Sequence, residues 1–118
     1  MGLIYHMLPA ASWLEHAQDD TYAADTLVTE GFIHCTGDPD LLVTVANRFY
    51  RNEPGDFVVL AIDEARVSAP IRWELADGHL FPHIYGPLNF AAVLDILPFP
   101  RDTMGIFQPF SQIVDDRS

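Results

Sequence analysis

The chain contains no lysine: its six basic side chains are all arginines, and 17 aspartates and glutamates outnumber them. The resulting net charge of −11 repels nucleic acid and anionic membrane surfaces over long range. The simplest explanation for most of this excess of acidic residues is that it keeps the protein soluble. The net negative charge is still compatible with a small phosphate-bearing ligand if one or two arginines lie at the binding site, because a guanidinium pairs with phosphate through two hydrogen bonds. The expected partner is therefore a small molecule, not nucleic acid or membrane.

Cysteine is nearly absent as well. The single thiol, Cys35, excludes an internal disulfide and fits a reducing, cytoplasmic setting. No apolar run approaches the length of a membrane span, and a strand pattern begins at Leu3 with no basic segment before it, so we expect neither a membrane helix nor a signal peptide. The sequence has no P-loop, no Cys-x-x-Cys pair and no glycine-rich turn between a strand and a helix. These absences argue against a doubly wound nucleotide-binding fold.

The overall composition is typical of one globular domain. The 118 residues are 49% hydrophobic and 19% charged, which suffices for a single core. We expect one domain over residues 1–118, with a frayed tail from about residue 112. The periodic patterns predict strand 3–7, helix 12–18, helical turns 25–31, strand 32–36, helix 38–51, strand 57–62, a turn or brief helix 63–66, strand 71–75, an extended segment 83–85 and strand 90–97. Two or three helices in the first half, followed by strands, favour an α+β fold.

Local patterns set the boundaries of these elements. Pro9 predicts the end of the first strand, and a capping box at Ser12 and Glu15 predicts the start of the first helix. Asp38 before a proline predicts the start of the longest helix, whose apolar residues form doublets one turn apart at 41–42, 45–46 and 49–50. Pro98 predicts the end of the last strand.

The segment 31–37 places a histidine, a thiol and a hydroxyl on one short strand. Alternation puts Phe32, His34 and Thr36 on one face and Cys35 on the other, so His34 is poorly placed to activate the neighbouring thiol. Cys35 is expected in the core. His34 and Thr36 would share a face beside Gly37, where a ligand can approach closely. Taken alone, His34 is better explained as a structural histidine.

A second histidine segment, 79–88, complements the first. His79 and His83 are four residues apart, the spacing of a helical metal pair, but Pro82 disfavours a helix between them, so no metal is expected. His83 and Tyr85 share a face if this segment is extended. Two charged residues have alternative interpretations. Glu74 is either an exposed partner of its strand neighbour or a carboxylate that holds a sugar hydroxyl or takes a proton. Arg48 either complements a helix end or contacts phosphate.

These segments together resemble the DUF952 family of small bacterial and plant proteins, over about residues 3–97. The blocks that carry the resemblance are 4–6, 30–36, 45–50, 73–74 and 81–88. The blocks Glu-Gly-Phe-Ile-His-Cys and Phe-Pro-His-Ile-Tyr-Gly-Pro-Leu are the most specific. The family often has serine where this chain has Thr36, which keeps the hydroxyl.

The resemblance implies a fold related to the ADP-ribosyltransferases, a mixed, split-sheet α+β architecture with a cleft for NAD. It implies that His6 on the first strand holds the ribose and that His34 with Thr36 forms the second position. The third position is His83, with Glu74 as the alternative. A set this rich in histidine is similar to the branch that includes RNA 2′-phosphotransferases, but the net charge argues against an RNA substrate.

The expected activity is the binding or cleavage of NAD or a related nucleotide. The candidate catalytic residues are His34, His6, His83 and Glu74, and the candidate binding residues are His6, His34, Thr36, Tyr85 and Arg48, with Tyr85 stacking on the nicotinamide ring. One alternative is a non-catalytic nucleotide-binding module. The other is a metal-dependent hydrolase that uses His34, His79 and His83. Convergence of His6, His34 and His83 on one pocket is what the enzyme hypothesis requires, and the oligomeric state stays open.

Overall fold

The computed structural model describes residues 2–16 and 21–110. Within these ranges the elements follow in the order β1 (Leu3–Pro9), α1 (Ala10–Glu15), β2 (Thr21–Tyr22), α2 (Asp25–Glu30), β3 (Ile33–His34), α3 (Pro39–Phe49), β4 (Phe57–Asp63), β5 (Ile71–Ala76), β6 (His79–Ile84), β7 (Leu88–Asn89) and β8 (Val93–Phe99). Short 3-10 helices occupy Glu64–Arg66 and Phe90–Ala92. The α+β class and the concentration of helices in the first half are confirmed.

The strands form two three-stranded sheets and one two-stranded sheet. Their orders are β1-β4-β8, β3-β6-β5 and β2-β7. Every pairing among the described strands is antiparallel, where a mixed sheet was expected. Tyr5 and Thr36 connect the two larger sheets, because each N–H donates to the carbonyl of the other at 2.8 Å. This junction places β1 beside the end of β3.

The central strand β4 is buried on both faces, which explains its uninterrupted apolar sequence. Leu60 and Ile62 face a first core that also contains Ile33 and Ile84 of the second sheet. Val59 faces a second core on the opposite side. Its members are Tyr5, Leu42, Ala46, Phe57, Val59, Ala61, Leu97, Phe99, Phe107 and Phe110. The expected packing of Phe107 and Phe110 on the body is confirmed.

Helix α3 begins where Asp38 and Pro39 predict. The Asp38 carboxylate accepts a hydrogen bond from the backbone N–H of Asp40, and the proline occupies the first turn, where its missing N–H costs nothing. In each of the first two apolar doublets of α3, the two residues face different surroundings. Leu42 and Ala46 are buried in the second core, whereas their neighbours at 41 and 45 lie toward a cavity described below.

Helix α1 begins earlier than predicted. It starts at Ala10, directly after Pro9, and no side chain caps it, so the capping box at Ser12 is wrong. Tertiary structure sets this start, because the Ala10 N–H donates to the carbonyl of Asp56 at 2.9 Å. The predicted end near Gln18, the turn at 19–20 and the tail from about 112 lie outside the described residues. Helix α2 ends as predicted at Gly31, whose φ of +88° suits glycine.

The strands that contain prolines extend further than predicted. β6 runs through Pro82, whose carbonyl accepts from the Cys35 N–H at 3.1 Å just beyond the end of β3. β8 continues through Pro98 to Phe99, because β8 is an edge strand, where a missing N–H is tolerated. Residues 90–92, predicted as strand, form a 3-10 turn before it.

Arg101 fastens the segment after β8 to the loop that follows α3. Its guanidinium donates to the carbonyl oxygens of Arg51 (2.9 Å), Glu53 (2.8 Å), Gly55 (2.8 Å) and Gly105 (3.2 Å). The same group lies 4.4 Å from the ring centroid of Phe107. A planar, fully charged fork can satisfy four carbonyls at once, so this arginine stabilises a loop that has no regular structure of its own.

Candidate functional site

The histidines on β1, β3 and β6 converge on one cavity of about 650 Å³. His6, His34 and His83 all line it, although 28 and 49 residues separate them along the chain. The lining residues are His6, Met7, Glu30, Phe32, His34, Cys35, Thr36, Leu41, Leu42, Thr44, Val45, Arg48, Phe49, Tyr50, Ala76, Asp77, His79, Phe81 and His83. This convergence is the arrangement that the enzyme hypothesis required.

His34 and His83 are direct cross-strand partners in the β3–β6 ladder. Their side chains therefore lie on the same face, and their ring centroids are 5.3 Å apart in an edge-on arrangement. Phe32 stacks on the imidazole of His83, with centroids 4.1 Å apart and planes 23° apart. The strand pairing thus builds a wall of three rings from two short segments.

A carboxylate orients His83 from behind. Glu74 Oε1 accepts from Nδ1–H of His83 at 2.7 Å and from the hydroxyl of Tyr85 at 2.5 Å. These hydrogen bonds, with that from Tyr85 the larger influence, hold the pKa of Glu74 below its usual range, and the same contact raises the pKa of Tyr85. Because a carboxylate only accepts, the proton of His83 is fixed on Nδ1. Glu74 does not line the cavity, whereas His83 does.

His6 contributes its ring to the lining but has both nitrogens engaged. Its Nδ1–H donates to the backbone carbonyl of His34 at 2.6 Å, and Nε2 lies 3.1 Å from the hydroxyl of Tyr22. Burial lowers its pKa from 6.5 to about 4, an effect that the hydrogen bond to His34 opposes and the charge of His34 reinforces. His6 is therefore neutral near pH 7 and positions β3, and neither nitrogen is left to contact ribose directly.

Two polar atoms on the cavity wall are buried without a hydrogen-bond partner in the described part of the chain. Thr36 is 4% exposed and bonds Tyr5 through its backbone alone, which leaves its hydroxyl unpaired. His83 is 8% exposed, and its Nε2 contacts no donor or acceptor among residues 2–16 and 21–110. Polar atoms that line a cavity without a partner in the protein can bond water or a ligand that enters it.

Charged groups lie at the rim of the cavity. His34 donates from Nε2 to Glu30 Oε1 at 3.2 Å, and both side chains are half exposed. Arg48 of α3 lies 3.5 Å from Asp77 in the turn between β5 and β6, an ion pair that connects opposite sides of the cavity. Ion pairs this exposed contribute little stability, so they are available to a ligand.

The remaining candidates are placed as follows. Cys35 packs in the first core opposite His34, as alternation predicted, and burial raises the pKa of its thiol well above the usual range. Tyr85 does not line the cavity, because its hydroxyl is directed to Glu74, so the expected stacking on nicotinamide is not supported. His79 lines the cavity, yet no group of three or more potential metal ligands occurs among the described residues.

Several site residues were missed at the level of sequence. Glu30 ends α2, within the predicted helical turns 25–31, and the sequence patterns above predict no role for Asp77. Phe32 was placed on the correct face without a role. The apolar doublets of α3 did carry the information, since they make an apolar stripe wider than one core contact needs. Leu41 and Val45, which lie in the part of the stripe that the core does not cover, line the cavity.

The fold and the site define a class: an α+β protein with a histidine-lined cavity between a helix and a β-hairpin. The chain belongs to the DUF952 family, "Protein of unknown function (DUF952)", whose family model matches residues 7–96. Within the described residues, no helix is both long and apolar enough to cross a membrane.

Solved structures of one bacterial protein have a similar fold. The crystal structure of protein CC0527 from Caulobacter crescentus is 26% identical, with a TM-score of 0.78 over 90% of this chain and 93% of that chain. The solution NMR structure of CC0527 is 25% identical, with a TM-score of 0.72 over 98% of this chain and 97% of that chain. No curated protein matches this chain.

Proposed function

We propose that the chain binds NAD or a related nucleotide in the histidine-lined cavity and cleaves the bond between nicotinamide and ribose, as its resemblance to ADP-ribosyltransferases implies. The observation that carries the proposal is the convergence of three histidines and Thr36 on one cavity, where Thr36 Oγ1 and His83 Nε2 have no hydrogen-bond partner among the described residues. A sugar offers hydroxyls that can donate to the imidazole and accept from the threonine. The free, buried thiol of Cys35 is consistent with the cytoplasm as the compartment.

The dimensions of the cavity suit such a ligand. Small-molecule sites commonly enclose roughly 300–1,000 Å³, a range that includes this cavity of about 650 Å³. Its wall combines rings with a few polar groups, the usual composition of a site that orients a flat ligand. Phe32 on the ring wall can contact nicotinamide, a role that sequence reasoning gave to Tyr85. Arg48 at the rim can contact a phosphate if it leaves Asp77.

The reaction is a hydrolysis through an oxocarbenium-like state. The bond between ribose C1′ and the pyridinium nitrogen breaks, and its electron pair neutralises the departing nicotinamide. A water oxygen forms the new bond to C1′, and its proton goes to His83 Nε2 before it returns to solvent. Glu74 keeps the imidazole in the tautomer that can accept this proton and stabilises its charged form. A glycosyl acceptor other than water would follow the same course.

A second function, nucleotide binding without chemistry, is favoured by the position of Glu74. This carboxylate already accepts from His83 and Tyr85 through one oxygen and does not line the cavity. It is therefore not placed to contact ribose itself. If His83 does not act as a base, the cavity retains the features of a binding site alone.

Release of nicotinamide from NAD by the purified protein, followed by chromatography, tests the proposal. His83→Asn is the informative variant, because its amide can keep the hydrogen bond to Glu74 while it removes the atom at Nε2. We expect its turnover to fall about 100-fold, the contribution of a general base, with ligand-induced thermal stabilisation retained. His79→Asn is the matched control, since it removes a lining imidazole that has no carboxylate behind it.

The outcomes separate the two functions. Thermal stabilisation by NAD with no nicotinamide release would support the binding module over the enzyme. Equal losses in the two variants would show that the hydrogen bond between Glu74 and His83 has no catalytic role. If NAD and its fragments cause neither thermal stabilisation nor nicotinamide release, both functions are refuted.

A further inference from the structure

We propose that the preferred ligand of the cavity is a phosphate-free cationic nucleoside, in which a pyridinium-type ring is joined to ribose, and not a dinucleotide. The inference rests on the proposed function, because it names the substrate class of the same cavity. Three features support it: the balance of charge on the lining, the number of aromatic rings, and the fixed backbone position of one acidic residue.

The charge on the lining is unfavourable for a pyrophosphate. Arg48 is the one arginine among the described lining residues, while Glu30 and Asp77 are carboxylates. Arg48 lies 3.5 Å from Asp77, so these two charges offset each other, and the second carboxylate, Glu30, leaves the lining with an excess of negative charge. A diphosphate brings two further negative charges into the field of a chain whose net charge is −11 and that offers no lysine.

The same lining is favourable for an organic cation. Four aromatic side chains line the cavity, and these are Phe32, Phe49, Tyr50 and Phe81. A delocalised cation gains electrostatic attraction above such ring faces, and nearby carboxylates add to it. Glu30 and Asp77 supply those carboxylates at the rim.

Asp77 is held at the rim by its backbone. It has a φ of +51° and Gly78 has a φ of +81°, the left-handed pair typical of a two-residue hairpin turn. Aspartate tolerates this conformation better than most residues, so the sequence Asp-Gly both closes the hairpin and directs a carboxylate to the cavity. The turn therefore fixes the position of the Asp77 backbone at the rim, from which its exposed carboxylate contacts Arg48.

Such a substrate also suits the chemistry. Before cleavage the positive charge is on the pyridinium ring, and in the transition state it moves to the ribose ring oxygen and C1′. Carboxylates at the rim attract the bound cation, and they accelerate cleavage to the extent that they stabilise the charge on the sugar more than the charge on the ring. The departing base is neutral and loses this attraction, which favours its release.

Three probes that share the scissile bond test the inference: nicotinamide riboside, nicotinamide mononucleotide and NAD. They carry no phosphate, one phosphate and two phosphates. Affinity by calorimetry and nicotinamide release would be measured for each at low and high salt. We expect the riboside to bind about tenfold more tightly than the mononucleotide at low salt, because like charges at a few ångströms repel, and the gap to narrow as salt rises.

Asp77→Asn is the diagnostic variant. It should weaken binding of the riboside several-fold and reduce the preference over the mononucleotide. Asp56→Asn removes the same charge from an exposed position outside the cavity and should leave the preference unchanged. Tighter binding of the mononucleotide or NAD than of the riboside, or an unaltered preference in Asp77→Asn, would overturn the inference while leaving the proposed function standing. Failure of all three probes to bind or react would refute the proposed function and the inference with it.

Discussion

The buried His6 makes the fold sensitive to mild acid. In the folded chain its pKa is about 4, against 6.5 for an exposed histidine, mainly because burial disfavours the charged ring. Between these two values the unfolded chain binds a proton that the folded chain does not. Stability is therefore complete above about pH 6.5 and is lost as the pH falls toward the folded pKa.

The size of this effect follows from the shift. A difference of about 2.5 pKa units corresponds to about 3 kcal/mol, and most of it is lost by about pH 4.5. For a domain of this length that is a large part of the free energy of unfolding. The ring bonds the carbonyl of His34 and the hydroxyl of Tyr22, and the imidazole of His34 is the titratable group whose charge adds to the lowering of the His6 pKa.

Urea unfolding at several pH values between about 7 and about 4.5 measures the effect. His6→Asn is the matched variant, because its amide nitrogen can replace Nδ1 as donor to the His34 carbonyl and does not titrate. We expect the wild type to lose about 2–3 kcal/mol more than the variant across this interval. Equal pH dependence in the two proteins would refute the assignment of a neutral, buried His6, as would NMR signals of its ring that titrate near pH 6.5.

Three further predictions concern single side chains. Thr36→Val removes a buried, unpaired hydroxyl without changing its shape, so denaturation should show unchanged stability or a gain of about 1 kcal/mol, while ligand affinity falls; a clear destabilisation would mean that the hydroxyl has a partner in the protein. Gly37→Ala would place a methyl group 2.6 Å from Cη2 of the partly exposed Trp73, so the ring must shift; tryptophan fluorescence should change, calorimetry should show a loss of about 1 kcal/mol or less, and unchanged fluorescence would contradict this close contact. Arg101→Lys cannot satisfy four carbonyls and should cost about 2–3 kcal/mol in urea unfolding, whereas a loss near zero would show that the loop needs no such fastening.

Patterns that depend on neighbouring residues predicted much of this fold. The start of α3 at Asp38 and Pro39, the end of α2 at Gly31 and the burial of β4 all follow from local chemistry or apolar spacing. Alternation within segment 31–37 correctly separated Cys35 from His34. Errors arose where a distant partner decides, as at α1, whose start is fixed by a hydrogen bond to Asp56.

The sequence identified the histidines of the site but not the residues that contact them. His34 and His83 could be identified as candidates, but their direct pairing depends on the register of β3 against β6, which no single segment specifies. In the β5–β6 pair the direct partner of His83 is Arg72, and Glu74 reaches His83 diagonally with its side chain, a contact that also holds the Tyr85 hydroxyl. The lining by α3 required knowledge of which side of the helix packs on the sheet.

The hydrogen bonds between Tyr5 and Thr36 join the two larger sheets. Two short contacts join the backbone of the β1-β4-β8 sheet to the end of β3, and the side chain of Thr36 lines the cavity at that point. A ligand that bonds the threonine hydroxyl would thus be attached at the junction itself. Occupancy of the cavity and cohesion of the two sheets are then coupled, so the amide protons of Tyr5 and Thr36 would exchange with solvent more slowly when the ligand is bound.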